Sequence, residues 1–165
     1  MIFILFMSAL IILRLAELGI AKKNEKWLLE NGAKEYGASH YPFIVMLHVL
    51  FIAALILEYY YRSTGVFHLG LLIFYIACIA IKAWVILSLG NYWNTKIFRI
   101  PGTQLVKKGL YKYLRHPNYL IVILEIAIIP LTFELYYTAV IFSILNGLML
   151  AVRIRVENAV LTTDH

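Results

Sequence analysis

The sequence predicts an all-α integral membrane protein in which five transmembrane helices form a single membrane domain over residues 1–165. Hydrophobic residues make up 62% of the chain and charged residues only 15%, against about 45–50% and about 25% in soluble domains. A chain of 165 residues cannot bury that much apolar surface in its own core, so lipid must cover it. Long apolar runs that alternate with basic loops are the second observation, and they give the spans and their orientation.

Five apolar segments are candidates for helices crossing about 30 Å of hydrocarbon: Ile2–Ala21, Phe43–Tyr61, Phe67–Leu89, Tyr119–Phe133 and Leu135–Val152. The first segment lacks a basic start and a small-residue cleavage site, which favours a retained span over a removed signal peptide. The last two segments are shorter and meet near Thr132–Glu134, which predicts a tight helical hairpin. Pro42 and Pro117 stand at first-turn positions, where proline is tolerated in a helix.

Basic residues orient the spans. Only Arg62 lies between spans on one side of the predicted membrane, whereas the other side holds Lys22, Lys23, Lys26, Lys34, Lys96, Arg99, Lys107, Lys108, Lys112, Arg115, Arg153 and Arg155. Because lysine and arginine accumulate in cytoplasmic loops, this bias predicts an N-terminus outside and a cytoplasmic C-terminus. The long loop between spans three and four and the C-terminal tail then share the cytoplasmic face. Within that loop, apolar residues recur at helical spacing, so we expect a short amphipathic interfacial helix over Thr103–Arg115.

Other features exclude several functional classes. The net charge of +6 is divided among loops between spans, with no soluble domain to present it, so nucleic acid is not an expected partner. The single cysteine, Cys78, excludes an intrachain disulfide, and we interpret it as apolar filler. Histidines 40, 48 and 68 lack ligand spacing, so no metal site is predicted.

Four charged residues fall inside predicted spans. Lys82 and Glu125 lie near the middle of spans three and four, where an unpaired charge is costly, so we expect them to pair. The alternative is that Glu125 lines a substrate pocket. Arg14 and Glu17 are spaced for an ion pair on one helix face, and we expect this pair only to fix the inner end of span one.

The loop between spans three and four contains an ordered run of motif residues. Its core reads Leu105-Val106-Lys107-Lys108-Gly109-Leu110-Tyr111, followed by Arg115-His116-Pro117-Asn118-Tyr119. Asn91-Tyr92-Trp93 precedes this run, and Arg153-Ile154-Arg155-Val156-Glu157 follows two further apolar segments. In order and spacing, these elements resemble the isoprenylcysteine carboxyl methyltransferase family, over about residues 89–161. The resemblance divides the domain into three N-terminal spans, 1–89, and a methyltransferase-like part, 90–165, with a cytoplasmic cofactor-binding loop.

The resemblance implies an S-adenosylmethionine-dependent methyltransferase whose donor enters from the cytosol and whose lipophilic acceptor enters from the bilayer. It implies that Arg153 binds the substrate and is catalytic, and that Glu157 is catalytic and contacts the cofactor. The other cofactor-binding positions that it implies are Gln104, Leu105, Val106, Tyr111, His116, Pro117, Asn118 and Tyr119.

The chemistry of these residues agrees with that assignment. A carboxylate such as Glu157 can pair with the positive charge of the donor, and Arg115 or helix-terminal amides can bind its carboxylate. The rings of Tyr111 and Tyr119 can face adenine or the sulfonium. Arg153 can hold an anionic acceptor oxygen beside the methyl group. Structural interpretations remain open: Arg153 and Arg155 can mark the basic end of span five, and Tyr92 and Trp93 can belong to an interfacial aromatic belt.

The acceptor is the least determined feature. The family name suggests a prenylcysteine-like carboxylate, whereas compact members that resemble this chain suggest a bacterial cell membrane and O-methylation of an alkylpyrone hydroxyl. A polyketide synthase is then a candidate supplier of the substrate. Two other functions stay open: an NADPH-dependent membrane reductase of similar helical architecture, and a non-enzymatic membrane accessory protein.

Overall fold

The fold is a bundle of five helices with a two-stranded sheet at one end, and the computed structural model describes residues 1–62, 65–104 and 106–162. The helices are α1 Ile2–Glu30, α2 Tyr41–Arg62, α3 Leu69–Leu89, α4 Pro117–Leu131 and α5 Tyr136–Thr162. The strands are β1 Lys34–Tyr36 and β2 Ile97–Arg99. Two short 3-10 turns, at Gly90–Tyr92 and Gly109–Lys112, lie in the connection between α3 and α4.

Four of the five helices, α1, α2, α3 and α5, are long and apolar enough to cross a membrane. The helix at the fourth predicted span, α4, is too short to cross about 30 Å of hydrocarbon unaided. It has 15 residues and therefore a length of about 22 Å. Most of α4 is enclosed by protein, with Ile121, Ile126 and Ile129 buried in the main hydrophobic core. The chain is thus an integral membrane protein with four candidate spans, and a fifth crossing stays a prediction.

The predicted hairpin between α4 and α5 is present and tight. The Leu135 amide donates to the carbonyl of Pro130 at 3.0 Å, and the buried Thr132 hydroxyl donates to the Ile128 carbonyl at 2.9 Å. Glu134 takes the left-handed conformation that reverses the chain, with φ of 57°. Its carbonyl accepts from Arg62 at 3.0 Å, so this hairpin lies at the same end of the bundle as the end of α2.

The sheet was not predicted from the sequence. β1 and β2 are antiparallel and pair Lys34 with Arg99, Glu35 with Phe98 and Tyr36 with Ile97. Strands of three residues have too short a pattern to identify, and the pairing joins segments far apart in the chain. The pair ties the loop after α1 to the loop after α3, so the two basic loops share one end of the bundle. Which side of a membrane this end faces stays a prediction.

The prediction of an amphipathic helix over Thr103–Arg115 is wrong. The described residues of that segment form an irregular chain with one 3-10 turn, Gly109–Lys112. The physical reason lies at Gly109, whose φ of 54° belongs to the left-handed region and interrupts a right-handed helix. A side chain there would also clash with the Ser88 hydroxyl, so glycine allows this loop to pack closely against α3.

The charged residues inside the spans form one cluster. Arg14 pairs with Glu17 at 2.9 Å and Lys82 pairs with Glu125 at 3.0 Å, which confirms both predicted pairs. The expectation that Arg14 and Glu17 only fix the end of the first span is wrong. Arg14 also binds Glu125 at 2.9 Å, and Lys82 binds Glu17 at 2.8 Å. Two cations and two carboxylates therefore neutralise one another and join α1, α3 and α4.

Candidate functional site

A cavity of about 470 Å³ opens at the end of the bundle that carries the basic loops. Its walls come from the loop between α3 and α4 and from the facing ends of α4 and α5. Among the predicted site residues, the cavity brings together Gln104, Val106, Tyr111, His116, Asn118, Tyr119, Arg153 and Glu157. Pro117 is buried at the first position of α4 and does not line the cavity, and Leu105 lies outside the described residues.

The start of α4 positions the central part of this site. His116 is the residue before the helix, and Pro117 begins it, where a missing N–H costs no hydrogen bond. Three positions separate His116 from Tyr119, so the imidazole lies over the phenol ring, with 5.2 Å between centroids and an interplanar angle of 14°. The motif spacing thus stacks two ring side chains that line the cavity.

Tyr119 connects α4 with the two functional candidates on α5. Arg153 Nε donates a hydrogen bond of 2.8 Å to the Tyr119 hydroxyl, and that hydroxyl donates to the Glu157 carboxylate. The Arg153 guanidinium also lies over the Tyr119 ring, 5.3 Å from its centroid. The two terminal nitrogens of Arg153 make no hydrogen bond to another described residue and can bind a ligand. Arg153 is buried, so its position is fixed by protein rather than by solvent.

His116 completes the network from the other side of Glu157. Its Nδ1 lies 3.5 Å from a carboxylate oxygen of Glu157, and its Nε2 lies 3.2 Å from the Asn158 side-chain oxygen. The Glu157 carboxylate holds the pKa of His116 above its usual value, despite the opposing effect of partial burial. Burial also raises the pKa of the Tyr111 hydroxyl, and the charge of Glu157 adds to the rise. Tyr111 therefore stays neutral and acts as a ring face and a hydrogen-bonding group.

The charge of this cavity is strongly positive. Glu157 is the one carboxylate among its described lining residues, whereas the cations that line it are Lys96, Arg99, Lys107, Lys112, Arg115 and Arg153. An amphoteric ligand fits this distribution, because a carboxylate finds many cations and an ammonium or sulfonium finds one carboxylate.

A second cavity, of about 290 Å³, lies between α1, α2 and α5. Most of its lining is apolar, as a lipid tail requires. The two cavities share one wall, formed by Trp93, Asn118, Tyr119 and Arg153. The residues that the motif predicted for the cofactor and for the acceptor thus meet where a polar cavity and an apolar cavity adjoin.

Two polar atoms in this shared wall are buried without a hydrogen-bond partner among the described residues: Trp93 Nε1 and Asn118 Oδ1. Buried polar atoms are nearly always paired, and an unpaired one costs about 1–3 kcal/mol. A donor and an acceptor at the junction are suited to a ligand that spans it. Together with the mixed charges of the larger cavity, they fit S-adenosylmethionine, which has an adenine, a carboxylate and two cationic centres.

Trp93 belongs to the site, although its sequence pattern was equally consistent with an interfacial aromatic belt. Its side chain is buried and lines both cavities. The residue is held by Asn24 of α1, whose side-chain amide donates to the carbonyls of Gly90 and Trp93 at 3.1 and 2.7 Å. The sequence does show Asn24 as a polar residue near the end of an apolar helix. Its partner could not be predicted, because Trp93 is distant in the sequence.

Lys96 is a second residue that sequence reasoning did not assign. It lines the larger cavity and its ammonium lies 2.7 Å from Glu25 and 3.5 Å from Glu35. The hydrogen bond to Glu25 raises the pKa of Lys96. The Asn94 side chain donates to the Ala21 carbonyl at 2.8 Å, close to this pair. These contacts fasten the cavity-forming loop to the end of α1.

Fold and site define a class: a helical membrane protein with a polar cavity at one end that adjoins an apolar cavity inside the bundle. The model of the isoprenylcysteine carboxyl methyltransferase (ICMT) family matches residues 68–163, and the chain belongs to that family. Membership implies a membrane methyltransferase, and members of the family use S-adenosylmethionine. The matched part contains α3, α4, α5 and the connecting loop, whereas α1 and α2 lie outside it.

Two curated bacterial proteins resemble nearly the whole chain. "Uncharacterized protein YpbQ" of Bacillus subtilis is 44% identical over 161 residues, which cover 96% of each chain. An "Uncharacterized protein" of Haemophilus influenzae is 33% identical over 161 residues, covering 94% of this chain and 92% of its own. No solved structure matches the chain. The similarity therefore extends over the three N-terminal spans, beyond the part that carries the family motif.

Proposed function

We propose that the protein transfers a methyl group from S-adenosylmethionine to an oxygen of a lipophilic acceptor in a bacterial cell membrane. The observation that carries this proposal is the shared wall of Trp93, Asn118, Tyr119 and Arg153. One side of the wall is polar and open to the basic loops, and the other is apolar and lies inside the bundle. A water-soluble donor and a lipid acceptor need such a junction to meet.

The larger cavity is the site for the donor. S-adenosylmethionine supplies an electrophilic methyl group on a positively charged sulfur. Glu157 would bind positive charge of the donor, and Arg115 would bind its carboxylate. Tyr111 presents a ring face, and Gln104, Val106, His116 and Asn118 complete the donor site.

Arg153 is the residue that orients the acceptor. Tyr119 occupies its Nε and fixes the plane of the guanidinium, so its terminal N–H groups can bind an anionic oxygen with two hydrogen bonds. This holds the oxygen in its ionised, nucleophilic form at the wall between the cavities. Methyl transfer is an in-line displacement, so such positioning accounts for much of the acceleration.

The acceptor that this arrangement suits has an acidic oxygen on an apolar body. The enolic hydroxyl of an alkylpyrone meets both conditions, as does a prenylcysteine-like carboxylate. For the first acceptor, a polyketide synthase would supply the substrate. Comparison of lipid extracts from cells with and without the protein identifies the acceptor by mass spectrometry, because methylated product exceeds its precursor by the mass of one methylene.

Binding of labelled S-adenosylmethionine to the purified protein tests the proposal directly. We expect saturable binding that His116→Ala and Glu157→Ala each weaken about 5- to 150-fold, the effect of losing a charged contact. Tyr137→Phe, at the opposite end of the bundle, serves as the control. Absence of donor binding in the folded wild-type protein, with binding of NADPH instead, would favour the reductase and overturn the proposal.

A further inference from the structure

The smaller cavity contains two polar side chains that the methyl-transfer site does not use. Asn146 of α5 is 3% exposed and lines this cavity, and its side chain makes no hydrogen bond to another described residue. His48 of α2 lines the same cavity. Its Nδ1 lies 2.8 Å from the Ile44 carbonyl and therefore carries the ring proton, so Nε2 is a hydrogen-bond acceptor that has no partner among the described residues.

The ionic residues beside this cavity cannot take the same role. Arg14, Glu17 and Lys82 also line it, but they bind one another and Glu125 at 2.8–3.0 Å. Their charges cancel within the cluster and their polar groups are engaged. An amide is different: it can both donate and accept, and covering it with an apolar group that leaves it unpaired is unfavourable. Away from the shared wall of the two cavities, Asn146 and His48 are thus polar groups that a ligand in this cavity can bind.

The distance between Asn146 and Arg153 follows from the geometry of α5. Asn146 precedes Arg153 by two helical turns on α5, which is about 10 Å along the helix axis. Both residues line the smaller cavity, so they lie on the same side of the helix. A ligand whose acidic oxygen is held by Arg153 would place the group about 10 Å along its tail beside Asn146.

We propose that Asn146 and His48 form a second polar subsite, which selects acceptors carrying a hydroxyl group on the tail about 10 Å from the methylated oxygen. The hydroxyl donates a hydrogen bond to Nε2 of His48 and accepts one from the amide of Asn146. A plain alkyl tail leaves both polar groups unpaired and binds more weakly, because the penalty falls on the protein. This inference rests on the proposed function in taking the smaller cavity as the acceptor site.

Binding of two isomeric probes tests the subsite without methyl transfer. An extended chain advances about 1.2 Å per bond, so the hydroxyl of 10-hydroxystearate lies about 10 Å from its carboxylate. The isomer 3-hydroxystearate has the same composition, with its hydroxyl near the head group. We expect the purified protein to bind 10-hydroxystearate about 3- to 10-fold more tightly, measured by displacement of radiolabelled stearate.

The variants Asn146→Leu and His48→Phe should each reduce this preference, and the double variant should abolish it. Ser143→Ala removes a polar group from the same helix outside the cavity lining and should retain it. Equal affinity of the wild-type protein for the two isomers, failure to bind either, or a preference that survives in the double variant would overturn the subsite. A different result would contradict the proposed function: the protein would not bind the methyl donor but would still prefer 10-hydroxystearate.

Discussion

Arg153 and Glu157 lie one helical turn apart on α5 and bind the same hydroxyl group, that of Tyr119. Arg153 Nε donates to it at 2.8 Å, and Glu157 accepts from it. Residues assigned to the two substrates of one reaction are therefore joined through a single phenol. This connection determines which variants should separate donor binding from methyl transfer and which should affect both.

Replacing Tyr119 by phenylalanine should impair both steps. The variant keeps the ring stacked on His116 but releases Arg153 and Glu157 from their common partner. We expect donor affinity and single-turnover methylation each to fall about 5- to 30-fold, as for the loss of a charge-assisted hydrogen bond. Tyr137→Phe removes an equivalent hydroxyl far from the site and should change neither. A Tyr119→Phe protein with normal values for both would show that the network has no functional role.

Variants of Arg153 and Glu157 should impair different steps of the reaction. Arg153→Ala should reduce turnover strongly while donor affinity stays within a few-fold, because the acceptor loses its anion-binding group. Arg153→Lys should rescue poorly, since it keeps the charge but loses the planar fork. Glu157→Gln should instead weaken donor binding. Equilibrium binding and single-turnover rates of the three variants decide the matter, and loss of donor binding in Arg153→Ala with normal turnover of the residual complex would contradict the acceptor role.

The contact between His116 and Glu157 should make folding stability depend on pH. Because Glu157 raises the pKa of His116 in the folded protein, the contact stabilises the fold fully below the unfolded value of about 6.5. That contribution is lost as the pH rises through the higher folded value. We expect the wild-type protein to unfold in detergent at a higher temperature than His116→Gln at about pH 5.5. This difference in unfolding temperature should shrink as the pH rises to about 9, beyond the usual range of histidine titration. A difference that stays constant, or grows, would exclude this ion pair.

The ion cluster predicts non-additive effects on stability. Lys82→Met leaves two carboxylates facing Arg14 alone and should cost about 3–5 kcal/mol. Adding Glu125→Leu removes the surplus negative charge and restores a neutral Arg14–Glu17 pair. The double variant should therefore be more stable than the sum of the single changes predicts. A double-mutant cycle from reversible unfolding in detergent measures the coupling, and simple additivity would show that the four groups do not act together.

Reporter fusions test the orientation. Fusions at Arg62 and Glu134 should report the outside, and fusions at Gly102 and His165 the cytoplasm. The structure places the α2 end and the α4–α5 hairpin together, joined by the hydrogen bond from Arg62 to the Glu134 carbonyl. Both fusions at this end should consequently agree with each other. An outside signal at Gly102 would place the donor cavity away from the cytosol, where the donor is made.

Local properties of the sequence determined the helices and the candidate site residues. Apolar runs located all five helices, and paired charges at Lys82 and Glu125 predicted a contact that the structure contains. The ordered motif identified side chains that line the larger cavity. The apolar runs and the motif can each be identified within one segment of the chain. The charged pair can be predicted because an unpaired charged residue is unfavourable inside a membrane.

Tertiary structure alone decided what those side chains form together. The sheet of β1 and β2, the support of Trp93 by Asn24, and the apolar cavity that contains Asn146 all join segments distant in the chain. The sequence predicted an interfacial helix over Thr103–Arg115, and packing of Gly109 against α3 replaced it with an irregular loop. Hydrophobic periodicity identifies which residues avoid water, but the faces of helices that meet depend on side-chain shape and long-range hydrogen bonds. Those contacts create the wall between the two cavities.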